Sequence, residues 1–405
     1  MPKWSYIGRY VGFNCLSSGL IELLTITLHL TIRFCCQCWN KGTGPRWGGF
    51  SRTSATVSRR LFSIRDVPLH STSTGVPQGS VLGPLEFIAY TEHVSDIFNR
   101  YSLHHHLFAD DKQVYASADL NGVVEMRSRL GDLITDVGSW CSSRRLQLNQ
   151  SKTELAWFGK PSRLDSLRLQ NTTVTVGTVT IQSSAVVRDL GVLLDSELSM
   201  KRHVAKVASI CFYQLRRLRQ IRRLVGPELT AQLVHAFVLS RLDYGNSVLA
   251  GLPRSTVEPL QRVQNAAARL ILHLGMRDHV TPALRQLHWL PVHLRLKHKL
   301  CTMMHSIHTG QCPAYLADMV HSVVDSSTRP GLRSADTTDY RKPRCSTNLG
   351  QRAFAYAGPL AWNDLPPSIR DISDLTLFRK RLKTFLFNIA AWTRTNFVMH
   401  GWTIL

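Results

Sequence analysis

Apolar and polar positions along this chain fall into a stretch of mixed α and β periodicity followed by a longer, helical one. The mixed stretch runs from about Arg60 to Leu198. Within it, Ser80 to Phe98 places apolar residues at Val81, Leu85, Ile88 and Ala89, then at Val94, Ile97 and Phe98, which predicts a helix entered through a Gly/Pro/Ser turn. His104 to Ala109 and Gln113 to Ala118 flank Asp110-Asp111 as the arms of a hairpin. Val123 to Leu148 reads as a helix with Val124, Leu130, Leu133, Ile134, Val137 and Trp140 on one side. Two short strands, Thr173-Val176 and Val179-Ile181, share a turn at Gly177. Beyond Leu198, Arg202 to Val225 carries an apolar stripe of Val204, Val207, Cys211, Leu215, Leu218 and Ile221. Further helical patterns recur at 229–241, 256–274, 283–309 and Leu375–Phe387, with a Ser/Thr/Asp/Arg-rich loop over roughly 325–348. Residues 1–45 lack a sustained amphipathic period, and Lys41–Phe50 is a glycine-rich breaker that marks the first boundary.

Charge changes the picture. Forty-nine Lys and Arg against 27 Asp and Glu give a formal net charge of +22 over 405 residues. A surface so basic attracts polyanions, nucleic acid first and anionic membrane second. The excess is concentrated between Glu197 and Glu228, where Lys201, Arg202, Lys206, Arg216, Arg217, Arg219, Arg222 and Arg223 occur with no acid. Such a run is either a solvated face or a phosphate-contacting one, and the absence of compensating acids favours phosphates. Nine scattered cysteines fit reduced thiols in an intracellular compartment, nucleus or cytoplasm. Leu16 to Ile32 is apolar, but Glu22, His29 and interspersed Thr and Ser make it a poor bilayer span, so no stable membrane association is expected.

Two adjacent carboxylates at a tight turn, Asp110 and Asp111, cannot both enter a core. They cap the turn or hold a divalent cation, and oxygen ligands on a hairpin tip suit Mg²⁺. Upstream, Gly75-Val76-Pro77-Gln78-Gly79-Ser80-Val81-Leu82-Gly83-Pro84-Leu85 supplies a rigid turn that leaves room for a ligand at the backbone. Together these runs resemble the reverse transcriptases of LINE-type (non-LTR) retrotransposons, and the chain is similar to the C-terminal portion of such a polyprotein. The resemblance extends through Leu146–Glu154 (LQLNQSKTE), Val187–Val192 (VRDLGV), Ser240–Asn246, His288–Pro291 and Pro359–Pro366, covering about residues 46 to 390.

That resemblance implies an α+β fold: a partial polymerase palm, with a small antiparallel sheet and helices behind it, then a basic helical thumb and a mostly helical C-terminal region. The expected divisions are 1–45, set apart from the family fold; 46–198, the partial palm; 199–285, the thumb; and 286–405, the C-terminal helices. It implies RNA-directed DNA polymerisation on an RNA template with a DNA primer and dNTP. Asp110 and Asp111 would bind Mg²⁺ (or Mn²⁺), Pro77, Gln78, Gly79 and Ser80 would line the nucleotide and template site, and Lys152 would assist the triphosphate. Arg216, Arg217, Arg219 and Arg223 would contact nucleic acid.

Departures from the pattern limit the activity. A two-metal site needs carboxylates from two strands, yet the first aspartate in the chain is Asp66, and Glu22 is the only earlier acid. The fingers and first palm strand are therefore expected to be missing, the protein truncated, and catalysis weak or absent, with a non-catalytic nucleic-acid-binding remnant as the alternative. Lys112, beside the acidic pair, is expected to compete with the cation. Cys301, His305, His308 and Cys312 (C-x₃-H-x₂-H-x₃-C) admit a zinc site, while the matching part of the family reads as a packed helix and a Pro turn.

Overall fold

The computed structural model of the protein describes residues 26–33, 83–108, 110–149, 152–176, 179–324 and 338–392. The chain forms two compact units. One holds the described residues from Ile26 to Asp189 together with Leu193–Leu198, and the other holds Leu190–Val192 and the described residues from Ser199 onward.

The first unit is built on a four-stranded antiparallel sheet. Its strands are β1 (Ile26–Arg33), β2 (His104–Phe108), β3 (Asp111–Ala118) and β4 (Glu154–Phe158), in the order β2-β3-β1-β4. Two short helices, α1 (Gly83–Tyr90) and α2 (Val94–Arg100), replace the single helix expected over 80–98, because the chain turns through Thr91–His93. Helix α3 (Val123–Ser143) then connects β3 to β4. It buries Val123, Met126, Leu130, Leu133, Ile134, Val137 and Cys141. These pack with Val94, Ile97 and Phe98 of α2 and with Val114, Leu155 and Trp157 of the sheet. Burying each such aliphatic side chain is worth roughly 1.5–3 kcal/mol relative to leaving it in water. Val124, expected on the buried stripe, is 66% exposed; Val123 and Met126 take its place. The same stretch of chain also forms helix α4 (Pro161–Leu167), the hairpin β5 (Val174–Val176) and β6 (Val179–Ile181), and the pair β7 (Val186–Asp189) and β8 (Val192–Asp195).

Strand β1 differs most from the sequence reading. That reading sets residues 1–45 apart, and residues 26–33 within them form a strand that occupies the slot between β3 and β4. The physical reason is visible in Ile-Thr-Leu-His-Leu-Thr-Ile-Arg, where apolar and polar residues alternate with the period of a half-buried strand.

The second unit is helical. Helix α5 (Lys201–Val234) is broken at Gly226, whose φ of 76° and ψ of 173° lie in a region that excludes side-chain-bearing residues, and Pro227 restarts the helix. A π-helical turn (His235–Leu239) and α6 (Ser240–Asp243) follow. Then come α7 (Arg254–Leu272), α8 (Val280–Gln286), α9 (Val292–His308), α10 (Ala314–Ala317), α11 (Asn348–Gln351), α12 (Phe354–Asn363), α13 (Pro367–Arg370) and α14 (Leu375–Trp392). Cys301, Met304, Trp362, Phe378, Leu382 and Leu386 centre the core that joins α9, α12 and α14. Among the described residues no helix is long and apolar enough to cross a membrane.

Candidate catalytic hairpin and basic helix

The alternation on either side of Asp110 folds as a hairpin. Phe108 and Asp111 are Cα partners, so Asp110 lies at the turn and Asp111 opens β3. Both carboxylate residues are half-buried. Lys152 is exposed in a turn just ahead of β4, and Glu154 of β4 pairs with Thr31 while Arg33 pairs with Asp111. The sheet therefore brings Asp110, Asp111 and Lys152 to one of its ends. Pro77, Gln78, Gly79 and Ser80 lie outside the described residues.

Lys112 does not sit beside the acidic pair as the sequence suggested. Successive side chains of a strand point to opposite faces, so the Lys112 side chain leaves on the face opposite Asp111. It is only 2% exposed, with its ammonium 5.7 Å from the centre of the Phe87 ring. It lies close enough to Cys141 to oppose, in part, the burial that pushes that thiol's pKa up to about 12.

The face of β3 that carries Asp111 also carries Gln113 and Tyr115. The Gln113 amide donates to the buried Asp189 carboxylate of β7, and the Tyr115 hydroxyl meets His106 Nε2 at 3.1 Å. His104 stacks on the Tyr115 ring at 5.4 Å. Neither Gln113 nor Asp189 was singled out from the sequence. An aspartate at an inward position of a Val-Val-Arg-Asp strand was the available signal, since a buried carboxylate demands a donor. The β7–β8 turn uses Leu190 (φ 42°) and Gly191 (φ 91°), and the Tyr244 hydroxyl donates to the Leu190 carbonyl.

On α5, Arg216, Arg217, Arg219 and Arg223 are exposed together with Lys201, Arg202 and Lys206. Arg217 lies over the Tyr213 ring at 5.8 Å, and half-buried Arg222 donates to the Leu270 carbonyl. Ile221, expected on the buried stripe, is largely on the surface. The cysteine–histidine set resolves into packing. Cys301 is wholly buried against the Ala361 carbonyl, and burial pushes its thiol up to about 12. His305 Nε2 lies 2.7 Å from the Ile372 carbonyl with its ring on Phe378, and His308 faces the Tyr340 hydroxyl at 3.3 Å. Among the described residues no three His, Cys, Asp or Glu side chains gather as a metal site.

Comparison with known proteins bears on the hairpin. Residues 53–186 match the reverse transcriptase (RNA-dependent DNA polymerase) family. A Drosophila melanogaster protein, described as a probable RNA-directed DNA polymerase from transposon BS, is 27% identical over 212 residues, covering 49% of this chain. The chain spans 22% of that protein's length. The matched segment contains the 75–85 run, the Asp110-Asp111 hairpin and Lys152. Strand β1 lies outside it.

Proposed function

We propose that the chain is the reverse transcriptase region of a LINE-type retrotransposon protein, with the first unit as a palm and α5 as a thumb helix. In this reading it engages an RNA template, a DNA primer and a dNTP, and it extends the primer weakly or not at all. The observation that carries it is a hairpin with Asp110 at its turn and Asp111 opening the second strand, inside a segment that matches the reverse transcriptase family. Gln78 and Gly79 would line the nucleotide pocket, Lys152 would face the triphosphate, and the exposed arginines of α5 would track backbone phosphates.

The residues fit a catalytic metal pair only in part. Divalent cations would hold the triphosphate and activate the primer hydroxyl, and that chemistry needs carboxylates from both sides of the displacement. Asp110 and Asp111 supply one side. The strand beside them, β1, contains no Asp or Glu, and Arg33 is the Cα partner of Asp111. This same observation favours a second reading, a nucleic-acid-binding protein without catalysis.

Primer extension on a primed RNA template, with Mg²⁺ or Mn²⁺ and an Asp110→Ala control, tests the proposal. The expected result is little or no extension, with retained binding to the primed template. Robust extension that the Asp110→Ala variant loses would refute the weak-activity reading. Absence of any binding to the template would refute both readings.

A further inference from the structure

The seam between α9 and α14 carries a cluster of cations that the polymerase reading does not use. Neither helix contains an acidic residue. Arg295 and Lys299 are one helical turn apart on α9, as are Arg379 and Lys383 on α14. Phe378, Leu382 and Leu386, wholly buried in the shared core, fix the two helices against each other.

An ion pair and a hydrogen bond anchor the seam, and its titratable groups sense one another's charge. Arg295 makes a two-pronged ion pair with Asp243 of α6, its Nε 2.9 Å from Oδ1. His298 hydrogen-bonds the backbone of Arg379, and burial pushes its pKa down to about 4, with Arg379, Arg295 and Lys383 lowering it further. Lys299 is held below the ordinary lysine range by burial and by Arg379, against an opposing pull from Asp243. Lys383 is lowered in the same way by burial and by Arg295. Arg379 and Lys383 remain exposed at the mouth of the cluster. Like charges crowded on a rigid seam raise the energy of the unliganded fold, and an incoming polyanion removes that cost. Planar guanidinium forks beside ammonium groups are donors suited to phosphate oxygens.

We propose that the α9–α14 seam is a phosphate-binding site, formed by Lys299, Arg379 and Lys383 beside the Arg295–Asp243 ion pair, that holds the backbone of a nucleic-acid strand. It would be a second nucleic-acid contact, additional to the α5 face, and it rests on the nucleic-acid reading given above. Because the chemistry recognised is phosphate, inorganic polyphosphate is the other source of ligand, and the two are separated by experiment.

The test uses the full chain and the double variant Arg379→Gln/Lys383→Gln, which changes two exposed side chains and leaves the packed face of α14 intact. Fluorescence anisotropy with a labelled oligo-dT strand is followed across a KCl series, and melting is followed with inorganic tripolyphosphate. With two fewer phosphates neutralised, the slope of log K against log[salt] should become shallower by about 1.4, and binding should weaken roughly tenfold at low salt. Removing the same charge elsewhere, with Arg277→Gln/Arg285→Gln, should leave the slope nearly unchanged. Tripolyphosphate should raise the Tm of the parent chain and not that of the Arg379→Gln/Lys383→Gln variant.

Parent-like oligonucleotide affinity and slope in that variant would overturn the proposal while the reading of the function stands. Tripolyphosphate stabilisation that disappears in the variant, with no oligonucleotide binding by the parent, would keep the phosphate site and refute the nucleic-acid reading. Binding of neither ligand by the parent would refute both.

Discussion

Replacing Arg33 by aspartate should convert the hairpin end of the sheet into a better cation site. Arg33 and Asp111 are Cα partners on adjacent antiparallel strands, and such partners have Cβ atoms about 5 Å apart. The substitution exchanges a positive for a negative charge on the strand paired with Asp111, and for charges about 6 Å apart a change of two units beside a divalent cation sets the scale. At the dielectric of bulk water that change is worth about 3 kcal/mol. Screening at physiological salt, with a Debye length of about 8 Å, brings it to about half. Metal affinity should therefore rise between about tenfold and a hundredfold. Titration with Mn²⁺, followed by the loss of the free-ion electron paramagnetic resonance signal, measures it. Arg33→Met, which removes the cation and adds no ligand, should give about half the gain in free energy. Equal Mn²⁺ affinity in the parent and in a folded Arg33→Asp variant would show that β1 does not shape this site.

Other outcomes follow from the same geometry. Replacing Arg216, Arg217, Arg219 and Arg223 with Gln should make the salt dependence of single-strand binding shallower by about 0.7 for each phosphate that is no longer neutralised, measured by anisotropy; an unchanged slope would mean that this face of α5 is merely solvated. Burial pushes His203 from 6.5 down to about 4. The unfolded chain thus takes the proton first, and the histidine's stabilising contribution, complete above about pH 6.5, is lost as pH falls toward 4, a change of roughly 3 kcal/mol. Urea unfolding of the parent and of His203→Phe at pH 7 and pH 4 should show the acid loss reduced in the variant, and equal losses would contradict it.

The hairpin was legible because two alternating runs bracket an acidic pair, and the basic exposed face of α5 because eight cations occur there without an acid. Strand β1 was overlooked for a specific reason. Its residues are the end of a longer apolar stretch, and weighing that stretch as a candidate membrane span hid the alternation inside it. Lys112 was misjudged because adjacency in sequence was taken for adjacency in space, whereas a strand sends neighbours to opposite faces. In the zinc-like set, spacing along one helix said nothing of Phe378, Ile372 and Tyr340, which meet those side chains from elsewhere in the fold. Asp189 was read as one letter of a joining segment; only the fold shows that it holds Gln113, two residues beyond Asp111.

The place of β1 in the sheet also decides which backbone edges are covered once the chain has folded. β3 and β4 run parallel to each other, joined by α3, and neither bonds directly to the other; β1 fills the gap and bonds to both. Until it docks, two strands that face each other across an empty slot expose unpaired backbone donors and acceptors, the kind of template on which other chains add. Because β1 precedes its partners by a long stretch of chain, its docking is non-local and comparatively slow. A fragment cut to residues 53–186, the boundaries of the family match, would leave that slot permanently open. Such a fragment should self-associate more readily than the full chain.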